Sequence, residues 1–423
     1  MAFSVPKGTK DILPDEVSGW QIAERVFSKV CSEYGFREIR IPTFEHTEVF
    51  TKGVGGSTDV VRKEMYTFDD KGGRSMTLRP EGTAGVVRSY IENGMSSLPA
   101  PVRLFYMINA FRYEKMQKGR YREFHQFGVE AFGSQGPDID AEIISLLLLF
   151  FERMGIKETR LCINSIGCPE CRTTYYEELR NFFSDKLSDM CDDCNERMKQ
   201  NPMRILDCKE PRCKAYTASA PRQLQYLCAD CREHFEGLKS SLDDLGIVYT
   251  VDPGIVRGLD YYTRTVFEFV SDHVGTQGTI CGGGRYDKLV EMMDGPSVPG
   301  VGFAMGVERF LMEMQSQGIK LPEEYSVKVY IASLTDETRT LCHKLAYRMR
   351  RVGIGCETDL VGRSFRAQMK YANKAGIPFV AVIGPDEATG KILSLKRMSD
   401  GTAGEFSINN GLSDMKTYIN ETT

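Results

Sequence analysis

The chain has 423 residues, 41% of them hydrophobic and 26% charged, with a formal net charge of −4. This fits a folded protein of two or three domains and argues against a wholly basic nucleic-acid binder, while leaving room for a local basic face. The opening stretch, MAFSVPKGTKDILPDE, has no apolar signal core, and the longest apolar run, residues 143–151 broken by Ser145, is far short of the roughly 20 residues a membrane span requires. The expected compartment is therefore the cytoplasm, with no membrane partner; in that reducing setting the 13 cysteines read as thiols or metal ligands rather than disulfides.

Residues 20–34 carry Ile22, Val26, Phe27 and Val30 at helical spacing and stop at Gly35. Residues 36–42, FREIRIP, read as a strand closed by proline. Residues 53–58, GVGGST, are glycine-rich but lack the Lys-Ser/Thr ending of a phosphate-binding P-loop, so they read as a flexible surface loop. MYTF and SMTLRPEGTAGVVRSYI predict a hairpin running into a helix. At its bend Pro80 and Gly82 fix a sharp turn, which either presents Glu81 and Thr83 to a ligand or leaves Thr83 as a helix cap.

Residues 111–133 interleave aromatic and charged side chains. Phe111, Tyr113, Tyr121, Phe124, Phe127 and Phe132 alternate with Arg112, Glu114, Lys115, Lys118, Arg120, Arg122, Glu123 and Glu130. Two apolar-rich runs around the polar centre MQKGR predict two antiparallel strands joined by a long loop. Alternation puts Arg112, Glu114, either His125 or Gln126, and Glu130 near one sheet surface. Such a surface is a poor core and a suitable floor for a charged substrate; a solvated hairpin with cross-strand ion pairs gives the same pattern. A buried helix follows, begun by Asp138, Asp140 and Glu142 and stopped near Gly155.

Residues 168–248 form an insertion of helical character. CPEC, CDDC, the Cys208 and Cys213 pair, and CADC supply Cys168, Cys171, Cys191, Cys194, Cys208, Cys213, Cys228 and Cys231. These suffice for two tetrahedral Zn²⁺ sites, since one tight turn aims both sulfurs of a CxxC at an ion; packed, reduced thiols are the alternative. Residues 257–263, RGLDYYT, lead into a strand, with Gly258 allowing a close turn and Tyr261 and Tyr262 able to flank a flat ring. Residues 281–287, CGGGRYD, place three glycines at a strand end, as a bulge or as room for a ligand against the backbone. Residues 300–310 read as a small-residue strand entering a helix with Arg309 in its first turn.

Residues 315–326 read as a linker. Beyond it VKVYIAS, VGIGCETD and PFVAVIG alternate with helical stretches, giving a small α/β domain with a parallel or mixed sheet. Lys344, Arg348, Arg350, Arg351, Arg363, Arg366, Lys370 and Lys374 gather on its helices, a pattern that by itself reads as a solvated face.

FRYE, the basic loop after it and FHQFGVE resemble the second signature motif of class II aminoacyl-tRNA synthetases, in the form used by the histidyl-tRNA synthetase family. RGLDYYT resembles that family's own signature, the helix–strand–proline order before residue 43 its first motif, and residues 300–310 its third. The resemblance spans essentially the whole chain, the insertion least. It implies an α+β fold: a class II synthetase-like antiparallel sheet flanked by helices (residues 1–167 and 249–318), a helical Cys-rich insertion (168–248) and a C-terminal α/β anticodon-binding domain (327–423).

It also implies a ligase that activates L-histidine with ATP and Mg²⁺ and transfers it to tRNA(His), working as a homodimer through the first motif. In that reading Arg112 and Arg257 hold the α-phosphate, Arg309 lies on the γ-phosphate side, and Glu114 also faces ATP. Glu81, Thr83 and Gln126 take the α-ammonium group, Glu130 and Tyr262 the ring nitrogens, and Tyr261 and Tyr286 complete the histidine pocket. On zinc the resemblance is silent. The alternative is a catalytically silent regulatory subunit binding histidine or a partner enzyme; such relatives usually lack an intact RGLDYYT and the C-terminal domain, and both are present here. One departure stands out: Lys115 and Met116 occupy positions where many bacterial relatives have Arg-Pro, and lysine lacks arginine's bidentate fork for the tRNA acceptor end.

Overall fold

The strands of the larger sheet come from both ends of the first of two units, Met1–Pro322 and Glu323–Thr423. The computed structural model describes residues 3–56, 58–208, 210–273, 278–321 and 327–422. In chain order the strands of the first unit are β1 Arg37–Glu38, β2 Phe44–His46, β3 Tyr66–Asp69, β4 Ser75–Leu78, β5 Val102–Phe111, β6 Glu123–Phe132, β7 Arg160–Ser165, β8 Thr250–Val251, β9 Thr263–Val270, β10 Thr279–Arg285 and β11 Gly300–Gly306. Among the described residues, eight of them pair in the order β1-β5-β6-β11-β10-β9-β7-β8, while β2-β4-β3 form a small separate sheet. The pairings from β5 across to β7 are antiparallel, and the short edge strands β1 and β8 pair parallel.

Alternation along β6 explains why one face of this sheet is a core and the other is not. Phe127, Val129 and Ala131 point one way, into a cluster with Phe27 and Phe150 from the helices Pro14–Glu33 and Asp138–Arg153. Phe27 stacks on Phe127 with ring centroids 4.8 Å apart and meets Phe150 edge-on at 5.4 Å. Gln126, Gly128 and Glu130 alternate to the opposite face, where β11 offers Gly302 and Ala304 beside them.

The hairpin at residues 111–133, the β3–β4 hairpin leading into the helix Thr83–Glu92, and the buried helix Asp138–Arg153 form as expected. Other elements differ. The first helix begins at Pro14, where proline at the helix start and Asp15 and Glu16 in the first turn favour initiation ahead of the apolar stripe. Of residues 36–42 only Arg37–Glu38 make a strand, at the sheet edge. Residues 53–58 are not a surface loop: Gly53 and Val54 are buried in the π-helical turn Thr51–Gly55, close to Ala84, and Ser57 lies outside the described residues.

The insertion carries helices Pro169–Phe183, Asp192–Gln200, Pro211–Thr217 and Ala229–Asp244, and Cys168, Cys191 and Cys228 each cap a helix N-terminus. The expected linker at 315–326 begins two residues inside the helix Val307–Ser316, and its last five residues lie outside the described residues. No helix of the described residues is long and apolar enough to cross a membrane.

The second unit holds β12 Val329–Ser333, β13 Cys356–Thr358, β14 Phe379–Ile383, β15 Ile392–Arg397 and β16 Ala403–Ser407. Its sheet, β13-β12-β14-β15-β16, is mixed, parallel across the first three strands and antiparallel thereafter. Three members of the basic cluster are engaged within the unit: Arg348 donates to the Asn409 carbonyl, Arg350 to the Cys356 carbonyl, and Arg363 pairs with Asp359.

Candidate active site

A cleft of about 860 Å³ opens within the first unit, over the Gly- and Ala-lined face of β6, β11 and β10. Arg112 reaches it from the loop after β5, Arg257 from the turn before β9, and Arg309 from the first turn of Val307–Ser316. Arg112 is aimed by a hydrogen bond from its Nε to the Pro80 carbonyl, 2.8 Å, and lies 5.4 Å over the Phe124 ring. Arg257 pairs with Glu268 on β9 and lies 5.5 Å over the Tyr262 ring. Its guanidinium fits because residue 282 is glycine; any Cβ there would collide with it. Burial, helped by the like charge of Arg120, pulls the pKa of Arg309 down. The first turn carrying Arg309 is fixed to β6 by its neighbour Glu308, which accepts a 2.9 Å hydrogen bond from the His125 backbone N–H. His125 therefore faces Glu308 and the Trp20 ring, and Gln126 is the residue that faces the cleft.

Glu81, Thr83, Gln126, Tyr261, Tyr262 and Tyr286 line the same cleft. Glu81 is 2% exposed and accepts 2.8 Å bonds from the backbone N–H groups of Thr83 and Ala84 at the start of Thr83–Glu92. Burial raises its pKa, and those two N–H groups oppose the rise. Capping and ligand presentation thus coexist in one carboxylate. Gln126 Oε1 is buried with no hydrogen-bond partner among the described residues, an acceptor at the cleft wall.

Glu130 does not line the cleft. It lies one layer behind, accepting from Thr83 Oγ1 at 2.7 Å, from the Tyr106 hydroxyl at 3.2 Å and from the Tyr286 hydroxyl. Burial pushes its carboxyl from an ordinary 4.5 up to about 8, against the pull of these hydroxyl donors and with Glu81 adding to the rise. Glycines at 82, 128, 300 and 302 make this packing possible: a Cβ would strike Tyr106 at the first two, Tyr286 at the third and Glu130 at the last.

Several residues lining the cleft or lying behind it escape a reading of motifs. Glu268 had a visible signal, a lone acid within the apolar run VFEFV of the strand Thr263–Val270. Tyr106, beneath Glu130, had none, because hydroxyl and carboxylate meet only through the register of β5 on β6. Arg204, Asp207 and Lys214 line the cleft from the insertion. In the loop after Arg112, Glu114 and Gln117 line the cleft, and Arg120 donates to Glu114 at 3.2 Å; Lys115 is not among the lining residues.

The eight insertion cysteines fall into two groups, Cys168, Cys171, Cys228 and Cys231, and Cys191, Cys194, Cys208 and Cys213, with all sulfurs of a group within 4.8 Å of one another. Zn–S bonds of about 2.3 Å in a tetrahedron put sulfurs about 3.8 Å apart. The separations of Cys168 from Cys171, 3.6 Å, of Cys168 from Cys228, 4.0 Å, and of Cys191 from Cys208, 3.7 Å, match that edge. Backbone N–H groups of Cys228 and Cys191 donate to Cys171 and Cys213 sulfurs, at 3.1 and 3.3 Å, as suits thiolate ligands.

A family model described as histidyl-tRNA synthetase matches residues 8–310, and one described as an anticodon binding domain matches residues 328–417. The histidine–tRNA ligase of Acetivibrio thermocellus is 57% identical over 416 residues, covering 98% of this chain and 100% of its own. That of Clostridium perfringens is 51% identical over 409 residues, covering 96% and 98%. The crystal structure of apo S. aureus histidyl-tRNA synthetase matches with a TM-score of 0.84 at 38% identity, covering 98% of this chain and 100% of that one.

Proposed function

The chain belongs to the histidyl-tRNA synthetase family, and from that membership we propose how its cleft performs the reaction. The reaction is histidine–tRNA ligation. A carboxylate oxygen of L-histidine attacks the α-phosphorus of ATP, which enters with Mg²⁺. The bond to the bridging oxygen breaks and pyrophosphate leaves, giving histidyl-adenylate. A terminal ribose hydroxyl of tRNA(His) then attacks the adenylate's carbonyl carbon, and AMP departs.

No protein nucleophile is needed, so the site's work is positioning and charge neutralisation. Arg112 and Arg257 clamp the α-phosphate, each able to offer two parallel N–H donors. Arg309 neutralises the terminal phosphates, and Glu114 faces the nucleotide. Glu81, Thr83 and the unpaired Gln126 Oε1 receive the ammonium group. Tyr262 and Glu130 read the two ring nitrogens, with Tyr261 and Tyr286 closing the pocket. Direct contact with Glu130 requires the Tyr286 hydroxyl to give up its bond to that carboxylate. The observation that carries this reading is the meeting of three guanidinium groups, from three separate elements, in the one cleft that Glu81, Gln126 and the tyrosines also line. Nothing favours a catalytically silent regulatory subunit.

Residues 1–167 and 249–318 act as the catalytic core, 168–248 as the insertion and 327–423 as the anticodon reader, with the 114–122 loop toward the acceptor end. The working form is a cytoplasmic homodimer. The two cysteine groups each hold a structural Zn²⁺, whose contribution is to cross-link the insertion. Pyrophosphate exchange with ATP, measured with each of the twenty amino acids, tests the assignment. Histidine alone should support exchange; exchange with another amino acid, or with none, would overturn it.

A further inference from the structure

The two cysteine groups differ in what they hold. Cys168, Cys171, Cys228 and Cys231 join the two places where the chain enters the helices Pro169–Phe183 and Ala229–Asp244, at the base of the insertion. Cys191 and Cys194 stand at the start of Asp192–Gln200, while Cys208 and Cys213 flank the start of Pro211–Thr217, so this second group pins both ends of residues 195–207.

That pinned segment touches the catalytic cleft. Asn201 Nδ2 donates to Asp260 Oδ1 at 3.0 Å, and Asp260 belongs to the turn carrying Arg257, Tyr261 and Tyr262. Arg197 and Arg204 both reach Asp59 Oδ2 at 3.4 Å. The Asp59 segment in turn supports the same turn: Asp260 N–H donates to the Val54 carbonyl at 3.4 Å, and Gly55 is so close that a Cβ would lie 2.8 Å from the Asp260 carboxylate. Pro202, Met203 and Ile205 are buried, so the segment is packed in place rather than draped over the surface.

We propose that Zn²⁺ bound by Cys191, Cys194, Cys208 and Cys213 is a positioning centre for the catalytic cleft: it fixes residues 195–207 so that Asn201 braces the turn presenting Arg257 and Tyr262. This rests on the zinc reading above. Asn201 and the four cysteines are positioning residues that act through Asp260. Misplacing a phosphate-clamping guanidinium by about 1 Å is enough to cost up to about 10²-fold in rate.

The test uses the full chain purified without chelator, the Cys208→Ser variant, and the Asn201→Ala variant, which leaves every sulfur in place. Zinc content, hydrogen exchange of the peptide spanning 255–262, and histidine-dependent ATP–pyrophosphate exchange are measured for each. The parent should hold two zinc equivalents. Cys208→Ser should keep one, lose amide protection over 255–262, and fall about tenfold or more in kcat. Asn201→Ala should keep both zincs yet lose protection over the same peptide and fall in kcat in the same direction; it decides the matter where Cys208→Ser fails to fold. Two zincs in the parent with unchanged protection and kcat in Asn201→Ala would overturn the positioning role and leave the zinc reading standing. Less than a tenth of an equivalent of zinc in the parent would overturn both.

Discussion

A carboxyl group that is 1% exposed must be satisfied by donors or give up its charge, and Glu130 does some of each. Three hydroxyl donors surround it, yet burial still lifts its pKa to about 8. The folded state thus binds more protons there than an unfolded chain with an ordinary 4.5, so this group subtracts stability as pH rises from about 4.5 toward about 8. Glu130→Gln should therefore raise the melting temperature more at pH 8 than at pH 5. It should also lower kcat/KM for histidine by roughly 10- to 100-fold, with little change in ATP affinity; paired melts and exchange kinetics read both. At Arg257 the trade runs differently, because its charge is held by Glu268 and its fit by Gly282. Arg257→His should reduce histidine-dependent exchange by roughly 10²- to 10³-fold while far-UV circular dichroism stays unchanged. The resemblance of FRYE, RGLDYYT and residues 300–310 to the family's motifs singled out Arg112, Arg257 and Arg309 in the sequence, where pattern alone did not. The depth of Glu130 was not visible, because it is set by Tyr106 on β5 and by Tyr286 just after β10.

Among the elements, the helix Asp138–Arg153 joins three parts of the first unit. Its Asp140 accepts from Arg285 Nη1 on β10 at 2.6 Å and meets His234 Nε2, on the last insertion helix, at 2.9 Å. The Asp140 and Arg285 side chains are fully buried, so truncating the acid strands a guanidinium that, among the described residues, keeps Asp287 alone as an ionic partner. Asp140→Ala should lower unfolding free energy by about 3–5 kcal/mol, read by denaturant titration. In the sequence the acids near residue 138 were legible only as a helix start, because the ion's partners lie far along the chain and only the folded sheet joins them. Local signals served better where local physics decides. The β3–β4 hairpin, the helix after Gly82 and the helical character of the cysteine-rich stretch were all readable, though not that its CxxC pairs sit at helix N-termini. The two-residue edge strand Arg37–Glu38 was not, since the strand it pairs with, β5, lies far along the chain.

Across the molecule, a first unit built on a largely antiparallel sheet, with a cysteine-rich helical stretch between β7 and β8, is followed by a separate unit with a mixed five-stranded sheet. Motifs spread over the chain suggested the sheet-bearing fold and the C-terminal unit, while composition alone bounded little beyond size. The approach of the insertion to the cleft had no sequence signal: Arg204, Asp207 and Lys214 look like ordinary helix and loop charges until the chain folds. The central claim is that Arg112, Arg257 and Arg309 neutralise one triphosphate beside the histidine pocket. Its most direct test is a crystal structure of the full chain with histidine and a nonhydrolysable ATP analogue. The predicted result has Arg112 and Arg257 nitrogens at about 2.7–3.2 Å from α-phosphate oxygens, with Arg309 on the terminal phosphates. A triphosphate seated elsewhere, or seated in the cleft with these guanidinium groups turned away from it, would contradict the account.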